Sequence, residues 1–174
     1  MSEFEDEYSA ALEGEWRELG GALLGDTIHA LSPAEPVCVP GATSVHEAVG
    51  RMLAARQAVV LVVDGQGRLT GIFTERDVLT RVVGQGRDLR TTGLTDVMTP
   101  DPEALSPGDR VCVAVNRMSV AGYRTIPLVD QGHRPIGIVT VHDVIKWLAH
   151  LFPEAVLNLG PRDQIKHPLR VDAG

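Results

Sequence analysis

The chain has 174 residues, 44% of them hydrophobic, and a formal net charge of −7. This composition allows one ordinary domain or two small ones, and it excludes a largely disordered chain. Residues 1–18 hold seven acids and one arginine, so most of the net charge lies there and the rest of the chain is nearly neutral. No basic patch is visible, which argues against a nucleic-acid-binding protein.

The amino-terminal segment is predicted to form an acidic amphipathic helix. Its apolar residues recur three or four positions apart, with acids on the other face. These residues are Phe4, Tyr8, Leu12, Trp16, Leu19 and Leu23. We expect the helix to pack on its own module or on a second copy, with docking on another protein as the alternative. Its acidic polar face disfavours a membrane surface.

The sequence pattern predicts a cytoplasmic protein. The amino terminus is acidic and lacks the apolar region of a secretory signal. The longest apolar run, AVVLVV at 58–63, is too short to span a bilayer. Cys38 and Cys112 each lie in the apolar stretch VCV without CxxC spacing. We therefore predict two buried thiols, with a redox pair or a metal site as the alternative.

The central part of the chain contains an internal repeat with a period of 66 residues. GIFTERDVL at 71–79 returns as GIVTVHDVI at 137–145, and SVHEAVGRMLAA at 44–55 aligns with RVCVAVNRMSVA at 110–121. Because a unit of about 50 residues buries little surface alone, we expect the two copies to pack together. The predicted division is an acidic helix at 1–27, a first repeat at 28–83, a linker at 84–98, a second repeat at 99–150 and an irregular extension at 151–174.

Each repeat is predicted to have the order β-α-β-β-α, which gives an α/β (α+β) fold. In the first repeat, a short strand near 37–39 precedes an amphipathic helix. Its apolar residues are Val45, Ala48, Val49, Met52 and Leu53. VVLVV at 59–63 and RLTGIF at 68–73 form a hairpin around the turn DGQG. A second helix follows, and the second repeat has the same order.

The repeated phrase G-h-x-T-x-x-D, with h apolar, lies where the second strand meets the second helix. Thr74 and Thr140 stand at the helix start, where free N–H groups and the helix dipole favour an anion such as phosphate. Asp77 and Asp143 follow within the first turn. A carboxylate there can accept hydrogen bonds from the vicinal hydroxyls of a ribose. The phrase therefore predicts a nucleotide site in each repeat.

Neighbouring positions add an apolar and a cationic contact to each predicted site. Ile72 and Ile138 are expected to press on a flat base, and Arg76 and His142 to balance phosphate charge. The alternative is that Thr-x-x-Asp is only a helix cap, with Thr at the N-cap and the acid at N3. Capping and ligand binding are compatible, and both stay open at this stage.

These features resemble a tandem pair of CBS (cystathionine β-synthase) domains, a Bateman module. The resemblance rests on the two phrases, on the strands VVLVVD at 59–64 and TIPLVD at 125–130, and on DVMTPDP at 96–102. It covers about residues 28–150. It implies two repeats packed about a pseudo-two-fold axis, with two clefts that bind AMP, ADP or ATP, and sometimes S-adenosylmethionine or a dinucleotide. It also implies a homodimer.

The resemblance assigns roles to residues of both repeats. These are ribose binding for Asp77 and Asp143, phosphate proximity for Thr74 and Thr140, and base contact for Ile72 and Ile138. The family often has a proline in the middle strand. Pro127 supplies it in the second repeat, where it joins the expected site, but Leu61 replaces it in the first. The two sites are therefore expected to be unequal.

The sequence predicts a stand-alone regulatory module that binds adenine ribonucleotides, and not an enzyme. GQGRDLRTTG at 84–93 lacks the GK[ST] ending of a P-loop, and the six histidines lack metal-ligand spacing. We expect no catalytic residue and no metal site, with Mg²⁺ entering only alongside ATP. An unidentified effector protein would give the output. The alternative is a dimerisation scaffold that binds no ligand.

Overall fold

A computed structural model of the chain describes Gly14, Arg17 and residues 19–151. Both repeats have the predicted order of helices and strands. The first contains β1 (Cys38–Pro40), α1 (Val45–Ala55), β2 (Val59–Val63), β3 (Leu69–Thr74) and α2, which is α-helical at Glu75–Asp77, π-helical at Val78–Val82 and 3-10 at Val83–Gln85. The second contains β4 (Thr99–Pro100), α3 (Val111–Ala121), β5 (Thr125–Val129), β6 (Pro135–Thr140) and α4 (Val141–Leu151).

Short 3-10 turns precede the first strand of each repeat. They lie at Ile28–Leu31 and Leu94–Asp96, 66 residues apart. Isolated bridges join Thr27 to Arg110 and Gly93 to Ser44, and these pairs are also related by the 66-residue shift. The structural repeat therefore reaches back to the turns, and the lead-in of the second repeat begins inside the segment that the sequence predicted to be a linker.

The two repeats exchange the segments that lead into them. In the sheet β1-β2-β3-β4, β1 runs parallel to β2 of its own repeat, whereas β4 comes from the second repeat and pairs antiparallel with β3. The other half is built alike. Leu105 pairs in parallel with Leu128 of β5, and Ala34 of the first repeat pairs antiparallel with Ile138 of β6. Each hairpin is therefore flanked by a segment from the other repeat.

Helix α1 shows how local sequence sets the boundaries of a helix. The hydroxyl of Ser44 accepts a hydrogen bond from the N–H of Glu47 at 3.2 Å, which caps the amino terminus. The helix ends at Arg56, whose φ of 54° is left-handed. Met52 is buried, as predicted, but the prediction for Leu53 is wrong, because it is 73% exposed. A helical residue advances about 100° from its neighbour, so Leu53 turns away from the face that Met52 buries.

The hydrophobic interior forms three clusters. One is centred on each repeat and includes residues of the exchanged lead-in segment, and the third lies between the two sheets. The buried members of the third cluster are Val59, Leu61, Leu69, Ile72 and Ile138. Because both repeats supply residues to it, the third cluster joins them into one body.

The amino-terminal helical residues pack on the second repeat. Leu19 and Leu23 contact its core, in agreement with packing on the same module. The guanidinium of Arg110 donates to the carbonyl oxygens of Leu24 and Gly25, both at 2.7 Å, and so satisfies the carboxyl end of this helix. The predicted stripe residues from Phe4 to Trp16, and the extension from residue 152 onward, lie outside the described residues.

The two cysteines are free thiols. Both are half-buried, so the predicted burial of the two thiols is only partly confirmed. Desolvation raises the pKa of the Cys38 thiol. In the part of the chain that the structure describes, none of the helices has both the length and the apolar character required to cross a bilayer.

Candidate ligand-binding cleft

Both phrases form the same helix cap. Oδ2 of Asp77 accepts hydrogen bonds from the N–H of Thr74 at 2.9 Å and from its hydroxyl at 2.7 Å. Oδ2 of Asp143 accepts from the N–H and the hydroxyl of Thr140 at 2.8 and 2.7 Å. Each threonine hydroxyl in turn accepts from the backbone N–H of its aspartate. The capping alternative is thus confirmed, and it uses one carboxylate oxygen in each repeat.

The residue four positions after Asp77 engages its second oxygen. Nε of Arg81 lies 3.1 Å from Oδ1 of Asp77, whose side chain is only 10% exposed. Nη1 of Arg81 also donates to the carbonyl oxygens of Val97 and Met98, at 3.1 and 2.6 Å. Both oxygens of Asp77 are therefore bonded within the protein, and Arg81 ties this cap to the lead-in of the second repeat.

The residue that corresponds to Arg81 in the second repeat is Trp147, whose side chain does not bond to Asp143. Its Nε1–H donates to Oδ2 of Asp26 at 3.0 Å, at the end of the amino-terminal helix. Within residues 19–151, no hydrogen bond or ion pair engages Oδ1 of Asp143. A carboxylate oxygen can accept two hydrogen bonds. Oδ1 of Asp143 can therefore still accept hydrogen bonds from a ligand, whereas both oxygens of Asp77 are already engaged.

A methionine covers the first phrase. A Cβ added at Gly71 would lie 2.3 Å from Sδ of Met98. At Gly137 the nearest atom, Cδ1 of Leu128, would be 3.3 Å away. Met98 therefore lies directly on the backbone of the first phrase, beside the carbonyl that binds Arg81. Gly71 lies on the same face of β3 as Phe73, so Met98 packs there with the core cluster of the first repeat, whereas Ile72 on the other face lies between the sheets.

A cavity of about 520 Å³ opens beside the second phrase and between the repeats. This volume is typical of a small-molecule site. The second repeat contributes Arg124, Thr125, Ile138, Thr140, Val141, His142 and Asp143 to its walls, and the first repeat contributes Ala34, Arg56, Gln57, Ala58 and Val59. A molecule bound here would contact both repeats at once.

The nine predicted site residues divide between this cavity and other places. Four of them line it: Ile138, Thr140, His142 and Asp143. The other five do not: Ile72, Thr74, Arg76, Asp77 and Pro127. Ile72 is buried between the sheets together with Ile138, and Pro127 is buried within β5. Arg76 lies within the first phrase, and its side chain is exposed. The structure thus gathers the predicted residues of the second phrase around one space.

The sequence analysis missed the wall that the first repeat supplies. Arg56 and Gln57 follow α1 and face a phrase that lies about 80 residues further along the chain. Their counterparts in the second repeat are Gly122 and Tyr123. The search for sites compared residues that both repeats retain, and these positions differ. The left-handed φ of Arg56 belongs to the helix end, and no sequence signal marks it as part of a site.

The cavity carries more positive than negative groups. Arg56 and Arg124 are permanently charged, His142 can carry a proton, and Asp143 is the acidic residue of the lining. The start of α4, an 11-residue helix, adds the positive end of its dipole. These charges suit an anionic ligand that also offers hydroxyl donors to Asp143.

The family model of the CBS domain matches residues 30–84 and 94–150. The chain belongs to the CBS domain family, as a tandem pair. Among curated proteins it is similar to the meiotically up-regulated gene 70 protein of Schizosaccharomyces pombe, with 34% identity over 110 residues, or 63% of this chain and 15% of that protein. The chain spans 21 to 23% of the length of five matching CBS domain-containing proteins of Arabidopsis thaliana.

Solved structures of CBS pairs have the same fold. The CBS domain pair of protein MJ0100, in complex with 5′-methylthioadenosine and S-adenosyl-L-methionine, superposes with a TM-score of 0.65 at 22% identity, covering 71% of this chain and 99% of that one. CBSX2 in complex with AMP gives a TM-score of 0.62 at 20% identity, covering 74% and 99%. At these identities the likeness shows the fold alone.

Proposed function

We propose that this CBS pair is a regulatory module that binds an adenine ribonucleotide in the cleft beside Asp143. The observation that carries the proposal is a cavity between the repeats that contains a carboxylate with one unengaged oxygen in the described chain, opposite two arginines. A ribose offers the hydroxyl donors, and a phosphate offers the negative charge. The complexes of MJ0100 with two adenosine derivatives and of CBSX2 with AMP support this ligand class.

In the proposed complex each wall has a separate role. Asp143 accepts hydrogen bonds from the ribose, and Thr140 holds its carboxylate in place. Ile138 packs on the base. Arg56 and Arg124 balance phosphate charge, with His142 beside them. Mg²⁺ would arrive on the phosphates of ATP, because it retains several waters and needs few protein ligands.

We propose that the first cleft takes no nucleotide. To admit one there, Arg81 would have to release Asp77 and the carbonyl oxygens of Val97 and Met98. These contacts form without a ligand, so a ligand would have to replace them all. The proposed stoichiometry is therefore one nucleotide per chain.

We propose that nucleotide binding changes the relative orientation of the repeats or of the protomers. An effector protein in the cytoplasm would recognise this change. The chain binds its ligand in this scheme and does not transform it. We also propose a homodimer. Leu79 and Ile145, equivalent residues in the two repeats, are 65% and 56% exposed on helices and offer apolar surface that a second copy could cover. Sedimentation equilibrium should give twice the monomer mass, and a monomer at all concentrations would contradict the dimer.

Calorimetric titration tests the nucleotide proposal directly. ATP, ADP, AMP and 2′-deoxy-ATP should be compared on the full chain and on the matched variants Asp143→Asn and Asp77→Asn. Asparagine keeps the shape of the cap and removes the charge. We expect saturable binding to one site, weakened about tenfold to a hundredfold by Asp143→Asn or by the missing 2′-hydroxyl, because a hydrogen bond to a charged group contributes about 1.5–3 kcal/mol.

Asp77→Asn should leave nucleotide affinity close to that of the parent protein. Equal losses in the two variants would show that both clefts bind. Absence of binding by all four nucleotides would refute the nucleotide proposal and favour the alternative function, a dimerisation scaffold.

A further inference from the structure

We propose that Gln57 makes this cleft selective for a purine that carries an amino group at its 6 position. The inference rests on the proposed nucleotide site and names the residue that would distinguish adenine from guanine and hypoxanthine. Gln57 lies on the wall supplied by the first repeat, opposite the second phrase.

The side-chain amide of Gln57 has an unfilled acceptor. In the described chain its Oε1 is buried and has no hydrogen-bond partner. Most buried polar atoms in proteins are paired, and an unpaired acceptor retains the full penalty of its lost hydration. The other end of the amide is occupied, since Nε2 donates to the carbonyl oxygen of Glu35 at 2.7 Å. The amide orientation follows from this bond, because a flipped amide would set two acceptors against each other.

The position of Gln57 is fixed by its surroundings. Its backbone N–H donates to the carbonyl oxygen of Met52 at 2.9 Å, at the end of α1. Ala34, the neighbour of Glu35, exchanges two backbone hydrogen bonds with Ile138, at 3.1 and 3.0 Å. Ala34, Gln57 and Ile138 all line the cavity. The amide is thus tied to the same strand pair that would flank a base resting on Ile138.

The chemistry of the purine 6 position decides which ligand satisfies this amide. Adenine presents a donor there. Because Oε1 is buried, the amide would have to turn toward the cavity before Oε1 could accept from that donor. Guanine and hypoxanthine present a carbonyl oxygen, so two acceptors would face each other and both would lose their water. The same site chemistry rejects an analogue that cannot complete the hydrogen bond.

The first cleft has no equivalent group. The counterpart of Gln57 is Tyr123, which carries a phenol in place of the amide. The proposed base selection therefore belongs to the same cleft that retains an available carboxylate at Asp143.

The test compares three monophosphates on the full chain by calorimetry: AMP, IMP and purine riboside 5′-monophosphate, which has only hydrogen at the 6 position. The variants are Gln57→Met, of similar length without the amide, and Gln131→Met, the same change at an exposed turn residue outside the cavity lining. We expect the parent protein to prefer AMP to purine riboside monophosphate about tenfold and to IMP by more.

Gln57→Met should bring the ratio of AMP to purine riboside monophosphate affinity close to one, whereas Gln131→Met should keep the parent ratio. The ratio cancels any general loosening caused by loss of the bond to Glu35. Equal binding of the three ligands by the parent protein, or an unchanged ratio in Gln57→Met, would overturn the role of Gln57 and leave the nucleotide site standing. Absence of binding by all three, together with absence of binding by ATP and ADP, would overturn both.

Discussion

The clefts at Asp77 and Asp143 are built from the same phrase with the same cap, and the cavity described above lies beside the second. The difference lies one helical turn beyond the phrase. Arg81 contacts Asp77 and the lead-in segment of the second repeat. Trp147, by contrast, points away from Asp143 and donates a hydrogen bond to Asp26. In this duplicated fold, the residues that both repeats retain form the caps. The residues that differ decide whether the aspartate of each cap is available to a ligand.

The largest expected effect concerns Trp147, which is 7% exposed in the core of the second repeat. Trp147→Ala should lower the free energy of unfolding by about 3–5 kcal/mol, because it removes a large buried side chain. Arg81→Ala should cost about 1–2 kcal/mol, since it removes charged hydrogen bonds from a half-exposed group. Urea denaturation measures both. Trp147→Phe removes the bond to Asp26 while keeping an aromatic ring in the core, and it should cost less than Trp147→Ala. A larger loss in Arg81→Ala than in Trp147→Ala would contradict the contrast.

A second test tries to make the first cleft resemble the second. The variant Arg81→Ala removes the side chain that engages the carboxylate of Asp77. We expect the calorimetric stoichiometry for ATP to rise from one to two per chain, with the new site weaker because it lacks a counterpart of Arg56. Adding Asp143→Asn to this variant should weaken the original site and leave the affinity of the new site unchanged. A stoichiometry that stays at one would show that more than Arg81 closes the cleft.

The smallest expected effect tests the charge that only the second cleft has. Arg56→Gly keeps the left-handed backbone conformation, which glycine adopts readily, and removes the guanidinium. ATP affinity should fall about two- to fivefold, as expected for an exposed charge, and AMP affinity should fall less. Arg90→Gly, at an exposed residue outside the cavity lining, is the control. An equal loss for both nucleotides would argue against a contact with the outer phosphates.

Most of the fold was predictable from the sequence because it rests on local patterns that occur twice. Strand alternation, the hairpin turns and the Thr-x-x-Asp caps are each specified by neighbouring residues. The exchange of lead-in segments was not predictable. Ala34 and Ile138 pair across about one hundred residues, and no local sequence pattern indicates that they are partners. Leu53 was misplaced because it lies at the margin of an otherwise correct helical stripe.

The candidate site was predictable only on the side of the second phrase. The aspartates and threonines were found because both repeats retain them. Whether each aspartate is available depends on residues that differ, Arg81 and Trp147, and on packing that a pattern does not encode. The wall made by Arg56 and Gln57 escaped notice for the same reason. A comparison of the positions at which the two repeats diverge would have drawn attention to them.

The exchanged lead-in segments also constrain how the chain reaches its native state. During synthesis, Ala34 leaves the ribosome about one hundred residues before its partner Ile138, so the second sheet cannot be completed until most of the chain has been made. Such distant pairings slow folding, because a large loop must close before the contact forms. A fragment cut between the repeats would leave β3 or β6 with an open strand edge, and we expect it to aggregate.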